Sequence, residues 1–127
     1  MGIEDLTENK ISYSTPDHIL IRARVSKTIK SKFKGNVIFA HGLNNDKDED
    51  GNFVKLSILL NNKGYNTLRF DFRGQGESKG RTEDVTVRGE LIDLEASITK
   101  FDQILGKNSE YIIIASSFGA VSSILYT

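Results

Sequence analysis

The sequence predicts an α/β fold in which an antiparallel hairpin leads into a mostly parallel sheet with helices on both faces. Three observations carry this expectation. A short apolar run at 37–40 is of the kind buried on both faces of a parallel sheet, 111–115 is more apolar still, and 65–72 reads as a further strand. Stripes of helical period separate them. Near the start, Thr15-Pro16-Asp17-His18 supplies turn chemistry between two strand-like segments.

The elements follow in order. Residues 10–14 and 19–25 form the hairpin strands, and the basic, polar stretch 27–35 connects them to the next strand. Val37-Ile38-Phe39-Ala40 is a buried strand, followed by His41-Gly42-Leu43 and the acidic loop 44–51. Phe53, Leu56, Leu59 and Leu60 recur at helical spacing, with Gly64 as the terminator. Residues 65–72 make the next strand and run into Arg73-Gly74-Gln75-Gly76-Glu77-Ser78. Val87, Leu91, Leu94, Ile98, Phe101 and Leu105 place one apolar stripe on a long helix. Residues 111–115 are the most apolar strand, and a last helix starts near Gly119. Alternating strands and helices of this kind argue for a parallel sheet.

Composition narrows the function classes. The 127 residues suit one domain, taken as 1–127. Lys plus Arg and Asp plus Glu number 17 each, which favours neither nucleic acid nor an anionic membrane as partner. The absence of cysteine excludes disulfides, zinc–thiolate sites and thiol catalysis. The first ten residues are polar, unlike a secretory signal, and no apolar run reaches the length of a membrane span, so a cytoplasmic protein is expected.

Chemistry concentrates in Ala115-Ser116-Ser117-Phe118-Gly119, between a buried strand and a helix. A serine nucleophile on a sharp strand-to-helix turn needs small residues two before and two after it. Ala115 and Gly119 meet that need around Ser117, whereas Ser116 would be flanked by Ile114 and Phe118. The plainer reading is a pair of serines capping a helix. The loop His41-Gly42-Leu43 shifts the balance, because acyl transfer needs two N–H groups aimed at one oxyanion. Phe118, the residue after the nucleophile, supplies one and Leu43 the other. His41 reads as a residue that orients this turn. Gly74 and Gly76 do not extend to a dinucleotide fingerprint, since Lys79 stands where the third glycine belongs. They read as a glycine-rich turn in which Asp71 and Arg73 bond locally.

On Phe39 to Leu43, Gly64 to Ser78, Leu91-Ile92-Asp93-Leu94 and Ala115 to Ala120, the chain resembles the α/β-hydrolases of the serine aminopeptidase, monoacylglycerol lipase and cinnamoyl esterase type. Ala115 stands where glycine is commoner and Gln75 where histidine is frequent. The resemblance implies a serine hydrolase of carboxylic ester, thioester or amide bonds acting on a small acyl substrate without a cofactor. Ser117 would be the nucleophile, and His41, Gly42, Ala115, Gly119, Asp71 and Arg73 would support the site. It also implies a cap, further strands, and an acid and then a histidine after the nucleophile. Both histidines here, His18 and His41, precede Ser117, so the chain is expected to be a truncated domain, inactive alone. The alternative is a non-catalytic split-gene product acting as a binding or assembly fragment. The strand 111–115 would then offer an open edge for self-association or for a C-terminal complementing fragment.

The loop Asp46-Lys47-Asp48-Glu49-Asp50-Gly51 matches the first half of a calcium loop, making Asp46, Asp48 and Asp50 candidate ligands. Ser57 stands where the twelfth-position carboxylate belongs. The loop is otherwise expected to be solvated, with Asp50 or Asn52 capping the next helix.

Overall fold

The computed structural model describes residues 8–29, 33–105, 110–116 and 118–126. Its elements are β1 (Glu8–Ser14), β2 (Leu20–Ser26), β3 (Gly35–Ala40), α1 (Asn52–Asn62), β4 (Tyr65–Phe70), α2 (Val87–Leu105), β5 (Tyr111–Ala115) and α3 (Phe118–Tyr126). The sheet order is β1-β2-β4-β3-β5. The hairpin pairs antiparallel and joins β4 antiparallel, while β3 runs parallel to both β4 and β5. The predicted α/β architecture is therefore present, with β3 between its two parallel neighbours.

Alternation along β3 divides the core. Ile38 and Ala40 pack with Leu68, Phe70, Leu94, Ile98 and Phe101 on the face covered by α2. Val37 and Phe39 pack with Phe53 of α1 on the opposite face. Helix α3 packs against α2 and β5. No helix among the described residues is long and apolar enough to cross a membrane.

Three local expectations need correction. In α1 the buried residues are Phe53, Ser57 and Asn61, while Leu59 is 55% exposed. Asn61 is drawn onto the sheet because its Nδ2 donates to the Tyr65 carbonyl at 2.8 Å and its Oδ1 accepts from Ser26 Oγ. Neither Asp50 nor Asn52 caps α1. The N-cap is Gly51, at φ +89° and with no side-chain cap bond. Strand β4 stops at Phe70, because the Phe72 N–H turns to the His41 ring.

Candidate functional site

The parallel register brings two loops together. Ala40 pairs with Ala115, and the Ser116 N–H donates to the Ala40 carbonyl at 3.0 Å. The loops leaving β3 and β5 thus start side by side at the C-terminal ends of neighbouring strands, where open α/β sheets place their ligands. Ser117 lies outside the described residues. Phe118 and Gly119 begin α3, and only their backbone is described.

The loop after β3 is held by side chains. His41 is buried, and its Nε2 accepts the Phe72 N–H at 3.0 Å. That acceptor role leaves the proton on Nδ1, which donates to the Gly42 carbonyl at 2.7 Å. Burial pushes the His41 pKa down, so the ring is neutral. With both nitrogens engaged, His41 orients the turn and is not free to take a proton from a serine. The Gly42 N–H donates to Glu49 Oε2 at 2.9 Å, and the Asn44 N–H to Gln75 Oε1 at 2.8 Å. Between them, the Leu43 N–H has no partner among the described residues.

Asp71 and Arg73 do not bond only locally, as expected from the sequence. Fully buried Asp71 accepts the Lys47 N–H at 2.7 Å, Lys47 Nζ at 2.8 Å and the Glu77 N–H at 2.8 Å. A Cβ on Gly76, at φ +54°, would fall 2.3 Å from the Asp71 carboxyl carbon, so only glycine lets this turn close. Arg73 forms a fork with Asp17 of the hairpin turn, at 2.8 and 2.9 Å, and a second set of bonds to buried Asp93 of α2. This pairing holds the Asp17 carboxyl down at about 2.

The acidic loop is tied into the same frame. Lys47 is buried between Asp71 and Glu77. Asp48 pairs with Arg69 and its N–H donates to Asp46 Oδ1 at 2.9 Å, while Asp50 accepts from Asn45 at 3.4 Å. Among the described residues no three His, Asp or Glu side chains are grouped to hold a metal ion.

Sequence reasoning assigned no role to Lys47, Asp17, Asp93, Gln75 or Glu90. One signal was present: Glu90, Asp93 and Ser97 interrupt the α2 stripe at helical spacing, and all three are buried. Burial, with repulsion from Asp93, raises the Glu90 carboxyl to about 7. A cavity of about 640 Å³ lies elsewhere, between the hairpin turn and the outer side of α2. Its walls include Tyr13, Pro16, Ile92 and Ala96 but no residue of either strand-end loop, so it does not locate the chemistry.

Among curated proteins, none matches this sequence. Solved structures do. The esterase Pf2001 of Pyrococcus furiosus is 23% identical with a TM-score of 0.80, the match covering 98% of this chain and 49% of that one. The α/β-hydrolase GrgF from Penicillium sp. sh18 is 19% identical with a TM-score of 0.79, covering 95% and 41%. Est1E from Butyrivibrio proteoclasticus, solved with ferulic acid bound, is 23% identical with a TM-score of 0.77, covering 91% and 46%. At these identities the likeness is one of fold, and this chain spans less than half the length of each. The family described as serine aminopeptidase, S33 matches residues 31–127, most of the sequence, and the chain belongs to that family.

Proposed function

We propose that this chain carries the nucleophile and oxyanion half of a serine hydrolase acting on carboxylic ester, thioester or amide bonds. The observation that carries the reading is the unclaimed Leu43 N–H, between two N–H groups that side chains already occupy, beside the start of the loop that holds Ser117. In this mechanism Ser117 Oγ attacks the acyl carbon and the carbonyl electrons move onto oxygen. The N–H groups of Leu43 and Phe118 hold that oxyanion. The serine proton passes to a base and from it to the departing alcohol, thiol or amine as the oxyanion collapses, and water then cleaves the acyl-serine to release the acid and restore the hydroxyl.

His41 contributes without touching substrate. The carbonyl it binds belongs to the peptide whose N–H is that of Leu43, so the bond to Gly42 O sets the direction of the donor and polarises it. His41 has no free nitrogen to act as base, and in this reading the base and its orienting acid are other residues. Two of the similar structures support an acyl substrate: one is an esterase and one holds ferulic acid. We place the activity in the cytoplasm, with which a chain free of cysteine is compatible.

The test is labelling with a fluorophosphonate probe, with imidazole added to supply the missing base. Label on the intact chain that vanishes in Ser117→Ala is the expected outcome. Label that persists in the Ala variant rules Ser117 out as the reactive group.

A second reading rests on β5, which pairs with β3 alone among the described strands. Its free edge and half-exposed Ile112 suit a docking surface for a second copy or for a complementing C-terminal fragment. The chain would then act as an assembly fragment.

A further inference from the structure

We propose that Gln75 is a positioning residue for the oxyanion loop, bridging buried Glu90 of α2 to the Asn44 N–H and so restraining, from the side opposite His41, the loop that presents the Leu43 N–H. This rests on the hydrolase reading above and extends it to a side chain that touches no substrate.

The need for such a bridge is local. Asn44 sits at φ +59°, a left-handed conformation that costs any residue other than glycine some energy, asparagine least, so that a modest restraint suffices to keep it there. If Asn44 relaxes, the peptides on either side of Leu43 rotate. His41 and Glu49 hold the loop on the Gly42 side. On the far side the loop is held by the 2.8 Å bond from the Asn44 N–H to Gln75 Oε1.

Gln75 is built to supply it. Its N–H donates to the Phe72 carbonyl at 3.1 Å, its own carbonyl accepts the Ser78 N–H at 3.2 Å, and glycines at φ +71° and +54° flank it. The backbone is therefore pinned while the side chain spans two elements. Because the Asn44 N–H requires an acceptor, the amide oxygen faces the loop and Nε2 faces Glu90 Oε2, at 3.2 Å. Glu90 is itself 1% exposed, and its other carboxylate oxygen has no hydrogen-bond partner. A buried carboxylate in that state holds its remaining donor firmly. The line Glu90–Gln75–Asn44 thus ties α2 and the turn after β4 to the loop after β3.

The experiment compares wild type, Gln75→Met and Gln75→Glu in the imidazole-assisted fluorophosphonate reaction, separating the rate at saturating probe from the half-saturation concentration. Methionine keeps the length and removes both hydrogen bonds. A misdirected oxyanion donor slows the saturated rate, by roughly tenfold, and leaves half-saturation unchanged. Glutamate keeps the acceptor for Asn44 but meets Glu90, with Asp93 and Arg73 nearby. It lags wild type at pH 8 and recovers toward it at pH 6, where one shared proton restores the bridge. A through-hydrogen-bond NMR coupling between the Asn44 amide nitrogen and the Gln75 side-chain carbonyl reports the contact without any reaction.

Wild type labelled at Ser117 with Gln75→Met equally fast overturns the positioning role and leaves the hydrolase reading standing. Absence of the coupling overturns it too. Wild type left unlabelled overturns the hydrolase reading, and the role of Gln75 with it. If Gln75→Met does not fold, the pH recovery of Gln75→Glu decides.

Discussion

At the scale of single residues, His41 and Glu90 show burial acting on opposite charge types. His41 is kept neutral, and its two bonds use the neutral ring fully. Glu90 is a buried acid whose pKa rises to about 7 from an ordinary 4.5. The folded chain then binds a proton at Glu90 that the unfolded chain has lost. The group is neutral in both states' favour below pH 4.5, and stability declines as pH rises from there toward 7. Glu90→Gln removes this dependence. Relative to wild type, the variant should gain up to about 3 kcal/mol between pH 4 and pH 8, from a shift of roughly two and a half units. Urea unfolding at the two pH values checks this, and parallel behaviour of the two proteins would contradict it.

At the scale of elements, Arg73 joins three of them: its own turn after β4, the hairpin turn through Asp17, and α2 through Asp93. The two carboxylates differ in worth. Asp17 is substantially exposed, so solvent screens its pairing and Asp17→Asn should cost well under 1 kcal/mol at neutral pH. Asp93 is fully buried, and Asp93→Asn leaves the guanidinium short of its buried counter-charge, at a cost of about 3 kcal/mol. A urea titration of both variants should separate them clearly. Equal destabilisation would mean that the hairpin fork anchors Arg73 as strongly as α2 does. Close packing at Gly89, where a Cβ would come 2.9 Å from the Arg73 side chain, keeps α2 near enough for this pairing.

At the scale of the whole molecule, β1 and β5 are the two edge strands among the described residues, and the β5 edge carries the larger apolar surface. Ile112 of β5 is half-exposed, next to α3 with Ile124 72% exposed. Unpaired backbone beside exposed apolar side chains invites another strand. Sedimentation velocity should show concentration-dependent association, and Ile112→Lys should shift the chain toward monomer. A wild-type chain that stays monomeric across the concentration range would exclude self-association through this edge.

What the sequence determined by itself was the order of elements and the place of the candidate site among them. Continuous apolar runs, helical stripes and glycine stops are local patterns, and each survives in the fold from β1 to α3. Small residues around Ser117 and the His41-Gly42-Leu43 turn are local as well. Tertiary structure decided what those patterns leave open. Leu59 belongs to the apolar stripe of α1, yet Asn61 takes the buried place because its amide finds partners on Tyr65 and Ser26. Lys47 sits in an apparently solvated acidic loop, yet is buried against Asp71, 24 residues away. Arg73 reaches 56 residues back to Asp17, and Gln75 reaches 31 residues back to Asn44. Such pairs leave no periodic trace, because a charge or amide finds its partner only after the sheet has set the distance between loops. The order of strands and helices was therefore legible in sequence, whereas the side chains that hold the loop after β3 in place were not.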